Sequence, residues 1–265
     1  INNQLHRSAI IIFVCVFPWT QGSWIFSLLG QGNPPQNPFA AGVRNTEPLS
    51  PAQERQAFEL PPGFEIELVA SEPDISKPMN MAFDPKGQLW VTDTLEYPFP
   101  APSNQKGRDS IKVFSDTDKD GAYDKITTFA DGLNIPIGLY PYKNGVLVWS
   151  IPNLWWYEDT DGDGMADRRE KRYGPLGWER DTHGMNASFT RGFDGWLYAT
   201  HGFNNDTTIT GTDGSRVVMN SGNTYRVRLD GSRVEQHTFG QVNPFGMCLD
   251  PLGNFYTADC HSAPV

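Results

Sequence analysis

The chain has few cysteines, an excess of acidic over basic residues and no long apolar run. Only 3 of its 265 residues are cysteine, too few for a scaffold built on disulfide bonds. Lys and Arg number 21 against 31 Asp and Glu, so the formal charge is −10. That balance argues against the basic surface of a nucleic-acid-binding protein, and we expect no such partner. The apolar run at 9–17 is shorter than the roughly 20 residues of a transmembrane helix.

The first 57 residues differ in composition from the rest. His6 and Arg7 precede the apolar run, and polar residues follow it. This order resembles a secretory signal peptide at 1–30, which predicts export to the periplasm or cell envelope. The alternative is an N-terminal strand of the fold. Residues 31–57 are polar and Pro-rich, which predicts a linker. Because the chain begins with Ile and not Met, we expect an incomplete N-terminus.

A hairpin pattern recurs from residue 58 onward. Each copy has an apolar strand, a turn containing Gly and a second strand rich in aromatic or β-branched residues. The copies are NMAFDPKGQLWVTD (80–93), IGLYPYKNGVLVWS (137–150), ASFTRGFDGWLYAT (187–200) and FGMCLDPLGNFYTAD (245–259). Their turn glycines are spaced 58, 50 and 58 residues apart. Repetition of strands at this period is typical of a β-propeller.

A second hairpin follows each of the first three copies, at 111–129, 154–173 and 225–239. Two hairpins per repeat predict an all-β fold with four-stranded blades. We expect residues 58–265 to form about four blades of a six-bladed propeller that is truncated at its C-terminus. A generic antiparallel sandwich is the alternative.

Two of the second hairpins contain an acidic loop with the spacing of a calcium site. The stronger match follows D-x-D-x-D-G-x-x-D-x-x-E, with Met165 offering its carbonyl and Glu170 in the place of the bidentate carboxylate. Its carboxylates are Asp159, Asp161, Asp163, Asp167 and Glu170. The second loop has Asp116, Asp118, Asp120 and Asp124 but Thr127 at the final position, so we expect it to bind more weakly. Crowded carboxylates repel one another without a cation, which favours structural Ca²⁺ over merely solvated turns.

Polar residues recur where the chain enters the first strand of a repeat or leaves the second. In propeller geometry these positions share one face, where a ligand site is expected. His183 is the candidate proton acceptor on this face, and a structural histidine is the alternative. Trp155, Trp156 and Trp178 are interpreted as packing between blades rather than as a sugar platform. Thr257 stands where a C-x-x-C-H motif needs its first Cys, so we expect no haem within this chain.

The segments LPPGFEIELVA (60–70), MAFDPKGQLWVTD (81–93) and NPFGMCLDPLGNFYTADC (243–260) resemble the soluble quinoprotein sugar dehydrogenases, propellers that oxidise aldoses with PQQ. The acidic loop at 158–167 and the stretch 182–202 are closer to the PVC-type membrane-bound dehydrogenase family of haem-binding β-propellers. This resemblance implies a catalytic base at His183 and a cofactor contact at Asn243. The Arg of the family's Arg-Asn-Pro signature is Val242 here, which counts against PQQ because an arginine pairs with its carboxylate.

The resemblance thus implies an exported, calcium-stabilised dehydrogenase-like propeller that oxidises a sugar or sugar-like alcohol. Longer family members carry a cytochrome c module as electron acceptor, which would lie beyond this chain. A non-catalytic propeller that binds a glycan or a protein is the main alternative. A metal-dependent lactonase is a further reading, although no Glu is placed to join Asn134, Asn243 and Asp259 as ligands.

Overall fold

The computed structural model describes residues 9–14 and 47–260 and divides the chain into two units, 1–74 and 75–265. The predicted signal-peptide residues 1–8 and 15–30 and the linker residues 31–46 lie outside the described residues. Within the described part of the chain, no helix has the length and apolar character needed to cross a membrane.

The N-terminal unit contains β1 (Ala9–Val14), α1 (Pro51–Ala57) and β2 (Glu65–Ser71), and β1 and β2 pair in parallel. The strand at 9–14 corresponds to the alternative reading of the apolar run. Helix α1 lies within the segment that the composition assigned to a linker. It begins with a capping box, in which Ser50 accepts the N–H of Gln53 and donates its own N–H to the Gln53 side chain.

The second unit is a β-propeller of four-stranded antiparallel blades, as predicted. Blade 1 comprises β3 (Lys77–Phe83), β4 (Leu89–Thr94), β5 (Asp109–Ser115) and β6 (Lys125–Leu133). Blade 2 comprises β7 (Leu139–Tyr142), β8 (Gly145–Ser150), β9 (Asn153–Glu158) and β10 (Arg168–Tyr173). In both blades the strands are hydrogen-bonded in chain order, as expected for consecutive hairpins.

Blade 3 contains an insertion that the sequence analysis missed. It is built from β11 (Ala187–Arg191), β12 (Leu197–His201), β15 (Gly222–Val227) and β16 (Val234–Gln241). Between its second and third strands lies a separate hairpin of β13 (Asp206–Thr210) and β14 (Arg216–Asn220). The last hairpin is β17 (Asn243–Leu249) and β18 (Phe255–Cys260).

The blades stack through their first strands, since β3 contacts β7, β7 contacts β11 and β11 contacts β17. Strands β4 and β8 are buried along their whole length because apolar sheets cover both of their faces. One core cluster joins blades 1 and 2, and the other joins blades 2 and 3. The segments that enter the first strand and leave the second strand of each blade define the top face. The turns between strands one and two, and between three and four, define the bottom face.

Candidate functional site

The two acidic loops lie on the bottom face and have the same internal hydrogen bonds. In the first loop, Asp116 accepts the N–H groups of Lys119 and Gly121. In the second, Asp159 accepts those of Gly162 and Gly164. Burial acts to raise the pKa of Asp159, but these N–H groups outweigh it and hold the pKa below its ordinary value.

Each loop brings three of its predicted carboxylates together. Asp116, Asp118 and Asp120 form one cluster and Asp159, Asp161 and Asp163 the other, each with oxygen atoms within 4.8 Å of one another. The next carboxylate has a different role in both loops. Asp124 accepts the hydroxyl of Thr117 at 2.6 Å, and this bond holds its pKa low. Asp167 accepts the hydroxyl of Thr160 at the same distance.

Glu170 lies apart from the cluster that its spacing assigned it to. It is on β10, opposite Trp156 on β9, and its carboxylate accepts from Arg172 at 2.6 Å and from Arg168 at 3.5 Å. In an EF-hand, a helix follows the loop and keeps the last residue of the motif close to the ion. Here an extended strand follows, and it carries Glu170 away from the other carboxylates. Met165 is exposed, and its N–H donates to Asp163.

His183 lies on the top face, in the segment that enters β11. The Oδ1 of Asp181 accepts the backbone N–H groups of His183 and Gly184, and it is 3.6 Å from Nδ1 of the His183 ring. The ring of Tyr97 packs edge-on against His183, with centroids 5.5 Å apart. Burial, followed by the charge of Asp181, raises the pKa of the Tyr97 hydroxyl. His183 therefore has a carboxylate beside one ring nitrogen and an aromatic wall.

The segment that carries this pair is fixed by a buried residue that the sequence analysis missed. Asn205 is 1% exposed; its Oδ1 accepts the N–H groups of Arg180 and Asp181, and its Nδ2 donates to the Asp181 carbonyl. Thr182 adds a hydrogen bond to the carbonyl of Pro98 in the loop of blade 1. These bonds hold the Asp181–His183 pair in one position.

Asn243 lies in the same corner of the top face. Its Oδ1 accepts the N–H of Phe203 and abuts the α-carbons of Gly184 and Gly202, where an added Cβ would collide with it. The fold thus brings the predicted cofactor contact against Gly184, the residue next to the predicted base.

Most of the other polar residues on this face cap strands. Asp93 accepts the N–H and hydroxyl of Ser76, and Ser150 accepts the N–H of Asn134. Asp259 accepts the N–H groups of Val242 and Asn243. In each case the end of the second strand caps the segment leading into the first.

His201 is a structural histidine. Its ring nitrogens lie 2.7 Å from the hydroxyl of Thr207 and 2.8 Å from the carbonyl of Ser221, which fastens the inserted hairpin to blade 3. Burial lowers its pKa. Asp109, which the sequence analysis missed, has a similar role. It is fully buried and accepts the N–H groups of Leu95, Glu96 and Ile135.

PQQ does not fit the corner around Asn243. The cofactor carries several carboxylates, but the carboxylates of Asp259 and Asp181 already flank this corner. Val242 occupies the arginine position, and its N–H is engaged by Asp259.

A family model described as a domain of unknown function, DUF7133, matches residues 50–264, so the chain belongs to that family. None of the curated proteins matches it. Among solved structures, a gluconolactonase from Xanthomonas campestris is similar over 74% of this chain and 58% of its own, with 17% identity and a TM-score of 0.46. A candidate gluconolactonase from structural genomics is similar over 69% and 55%, with 13% identity and a TM-score of 0.42. The chain thus spans less than two thirds of either protein.

Proposed function

Taking membership of the DUF7133 family as the premise, we propose that the top face acts on a sugar or sugar-like alcohol, with His183 as general base. The observation that supports this most directly is the Asp181–His183 pair, held by Asn205 on a face open to solvent. The His183 side chain is 64% exposed, so a ligand can reach it.

In this reaction the base takes the proton of a substrate hydroxyl. The adjacent C–H bond then breaks as the carbonyl forms, and its two electrons leave to a separate acceptor. A quinone takes them with the hydrogen as a hydride, whereas haem groups take them one at a time while the proton is released to water. Asp181 orients the imidazole and stabilises its protonated form. The 3.6 Å separation of Nδ1 and Oδ1 is longer than a hydrogen bond, and such contacts often tighten only when substrate is bound.

A non-catalytic propeller that binds a glycan or a protein through the same face is the second candidate. The misfit of PQQ at Asn243 favours this binding function, because oxidation would lack the cofactor that the resemblance implies. This candidate keeps the geometry of the face but gives His183 no proton to transfer.

We also propose that Ca²⁺ stabilises the two bottom-face loops and that the protein acts after export. Calcium takes six to eight oxygen ligands, and two clusters of three carboxylates each suit this chemistry. The remaining ligands would come from backbone carbonyls and water. The loops lie on the face opposite His183, so the role of the ion is structural.

The experiment is dye-linked oxidation of a panel of sugars and alcohols by the wild type and by H183A, with and without added PQQ. Positioned general bases contribute about 10²–10⁴ in rate, so H183A should lose at least about 100-fold in turnover. H237A is the matched control, because His237 packs against Tyr198 and Phe255 on the outermost strand of blade 3.

Full turnover by H183A would refute the assignment of the base. If the wild type oxidises nothing but binds a glycan or protein on the top face, the second candidate replaces the first.

A further inference from the structure

A cavity between blades 1 and 2, along the outer strands of blade 2, has a lining whose charge differs from that of the rest of this acidic chain. Its volume is about 500 Å³, within the range of small-molecule sites. It lies under the loop that joins β4 to β5, which supplies Gln105 and Lys106. Blade 2 contributes Trp155, Tyr157 and Arg169 to the lining, and the segment entering blade 3 contributes Trp178.

The aromatic side chains of this cavity are only partly used in the core. Trp156 is buried between blades 2 and 3, as the packing interpretation requires. Trp155 and Trp178, by contrast, are half-buried and line the cavity. All three tryptophans thus pack against the core, as interpreted, and the parts of Trp155 and Trp178 that line the cavity can in addition contact a ligand. Aromatic side chains offer a large, rigid and partly polar contact area of the kind that packs on a sugar ring.

The charge of the lining has one sign. Among the described residues, the cavity is lined by Lys106 and Arg169 and by no Asp or Glu, in a chain with a formal charge of −10. Lys106 pairs with Asp131, but both side chains are about 70% exposed, so this pair is weak. The lining therefore favours a negatively charged ligand.

Arg169 is set apart from its neighbour on the same strand. Its guanidinium lies 4.5 Å from the ring centroid of Trp155, and the described residues provide no carboxylate within 4.0 Å of it. Arg168, whose side chain alternates to the other face of β10, pairs with Glu158 and Glu170. Stacking on the indole and a hydrogen bond to the Tyr157 hydroxyl hold the Arg169 guanidinium in place, and its remaining N–H groups can bind an anion.

We propose that this cavity binds an acidic sugar, a pyranose with a carboxylate or sulfate group. The ring packs against Trp155 and Trp178, and the anionic group pairs with Arg169. Gln105 and Lys106 supply further donors at the rim. The site is separate from His183, so binding does not depend on any turnover at the Asp181–His183 pair.

The test measures binding by isothermal titration with three trisaccharides: galacturonate, sulfated galactose and neutral galactose. Either acidic trisaccharide should bind more tightly than the neutral one, and the stronger of the two identifies the anionic group. Added salt should weaken this binding, because the charges are partly exposed. In R169Q the affinity for the acidic trisaccharide should fall about 10-fold or more, since a hydrogen bond between charged groups is lost.

R168Q is the matched control and should keep wild-type affinity, and thermal melting confirms that both variants fold. R169K should retain part of the affinity through its charge. H183A should bind the acidic trisaccharide as the wild type does, which separates this proposal from the proposed function. Equal binding of all three trisaccharides, absence of binding, or equal losses in R169Q and R168Q would overturn the proposal.

Discussion

Replacing His201 by Gln should make the stability of the propeller less sensitive to mild acid. Burial lowers the pKa of His201 in the folded protein, while the hydrogen bond to the Ser221 carbonyl and the charge of nearby Asp206 only partly oppose this effect. The unfolded chain has an ordinary histidine pKa of about 6.5. Between the two pKa values the unfolded state binds a proton that the folded state does not. Stability is therefore full above about pH 6.5 and falls as the pH drops toward the folded pKa.

The size of the effect follows from one proton. A full difference of one bound proton changes the free energy of unfolding by about 1.4 kcal/mol per pH unit. For a unit of this size, each kcal/mol corresponds to about 2–4 °C in Tm. Gln does not titrate, and its amide can still pair with Thr207 and the carbonyl of Ser221. H201Q should thus lose this part of the pH dependence at a moderate cost at neutral pH.

The assay is thermal melting followed by circular dichroism at pH 7.5, 6.5 and 5.5. The wild type should lose a few degrees more than H201Q over this range. H183Q is the comparison, because the His183 side chain is exposed whereas His201 is buried. If wild type and H201Q lose Tm in parallel, the argument from burial is wrong.

Three further outcomes are expected. Chelation of Ca²⁺ should lower Tm, because it removes a ligand that binds only the folded state. D161N should weaken this response, whereas E170Q should leave it unchanged. Identical melting with calcium and with chelator would count against both loops as calcium sites. D109A should cost about 3 kcal/mol or more in chemical denaturation, since the fully buried carboxylate satisfies three N–H groups; a cost below about 1 kcal/mol would contradict this role. N205A should lower the turnover proposed for the top face more than a thermally matched variant in α1, because it releases the segment that holds the base.

The blades were predictable from sequence because their determinants are local. Alternating apolar residues together with a turn such as Asp230-Gly231 specify a hairpin within about a dozen residues, and the repeats share this pattern. The inserted hairpin had the same local signs, with alternating burial along 206–210 and 216–220 around Asp213-Gly214. It was missed because it interrupts the four-strand repeat rather than continuing it.

The acidic loops show where local spacing stops being informative. Three carboxylates converge in each loop because a short turn is enough to bring alternate residues together. Glu170 is beyond the turn, and its position depends on the strand that follows and on the arginines beside it. A spacing rule derived from helices does not hold for a strand.

The sequence by itself determined the all-β class, the blades, the two acidic clusters and the placement of His183 and Asn243 at blade boundaries. Each of these depends on neighbours along the chain. Only the tertiary structure decided that Asp181 and Tyr97 flank His183, that His201 and Asp109 are structural, and that Arg169, Trp155 and Trp178 share a cavity. Contacts such as Tyr97 with His183 and Asp109 with Ile135 join residues far apart along the chain, so the packing of strands and sheets sets which side chains meet.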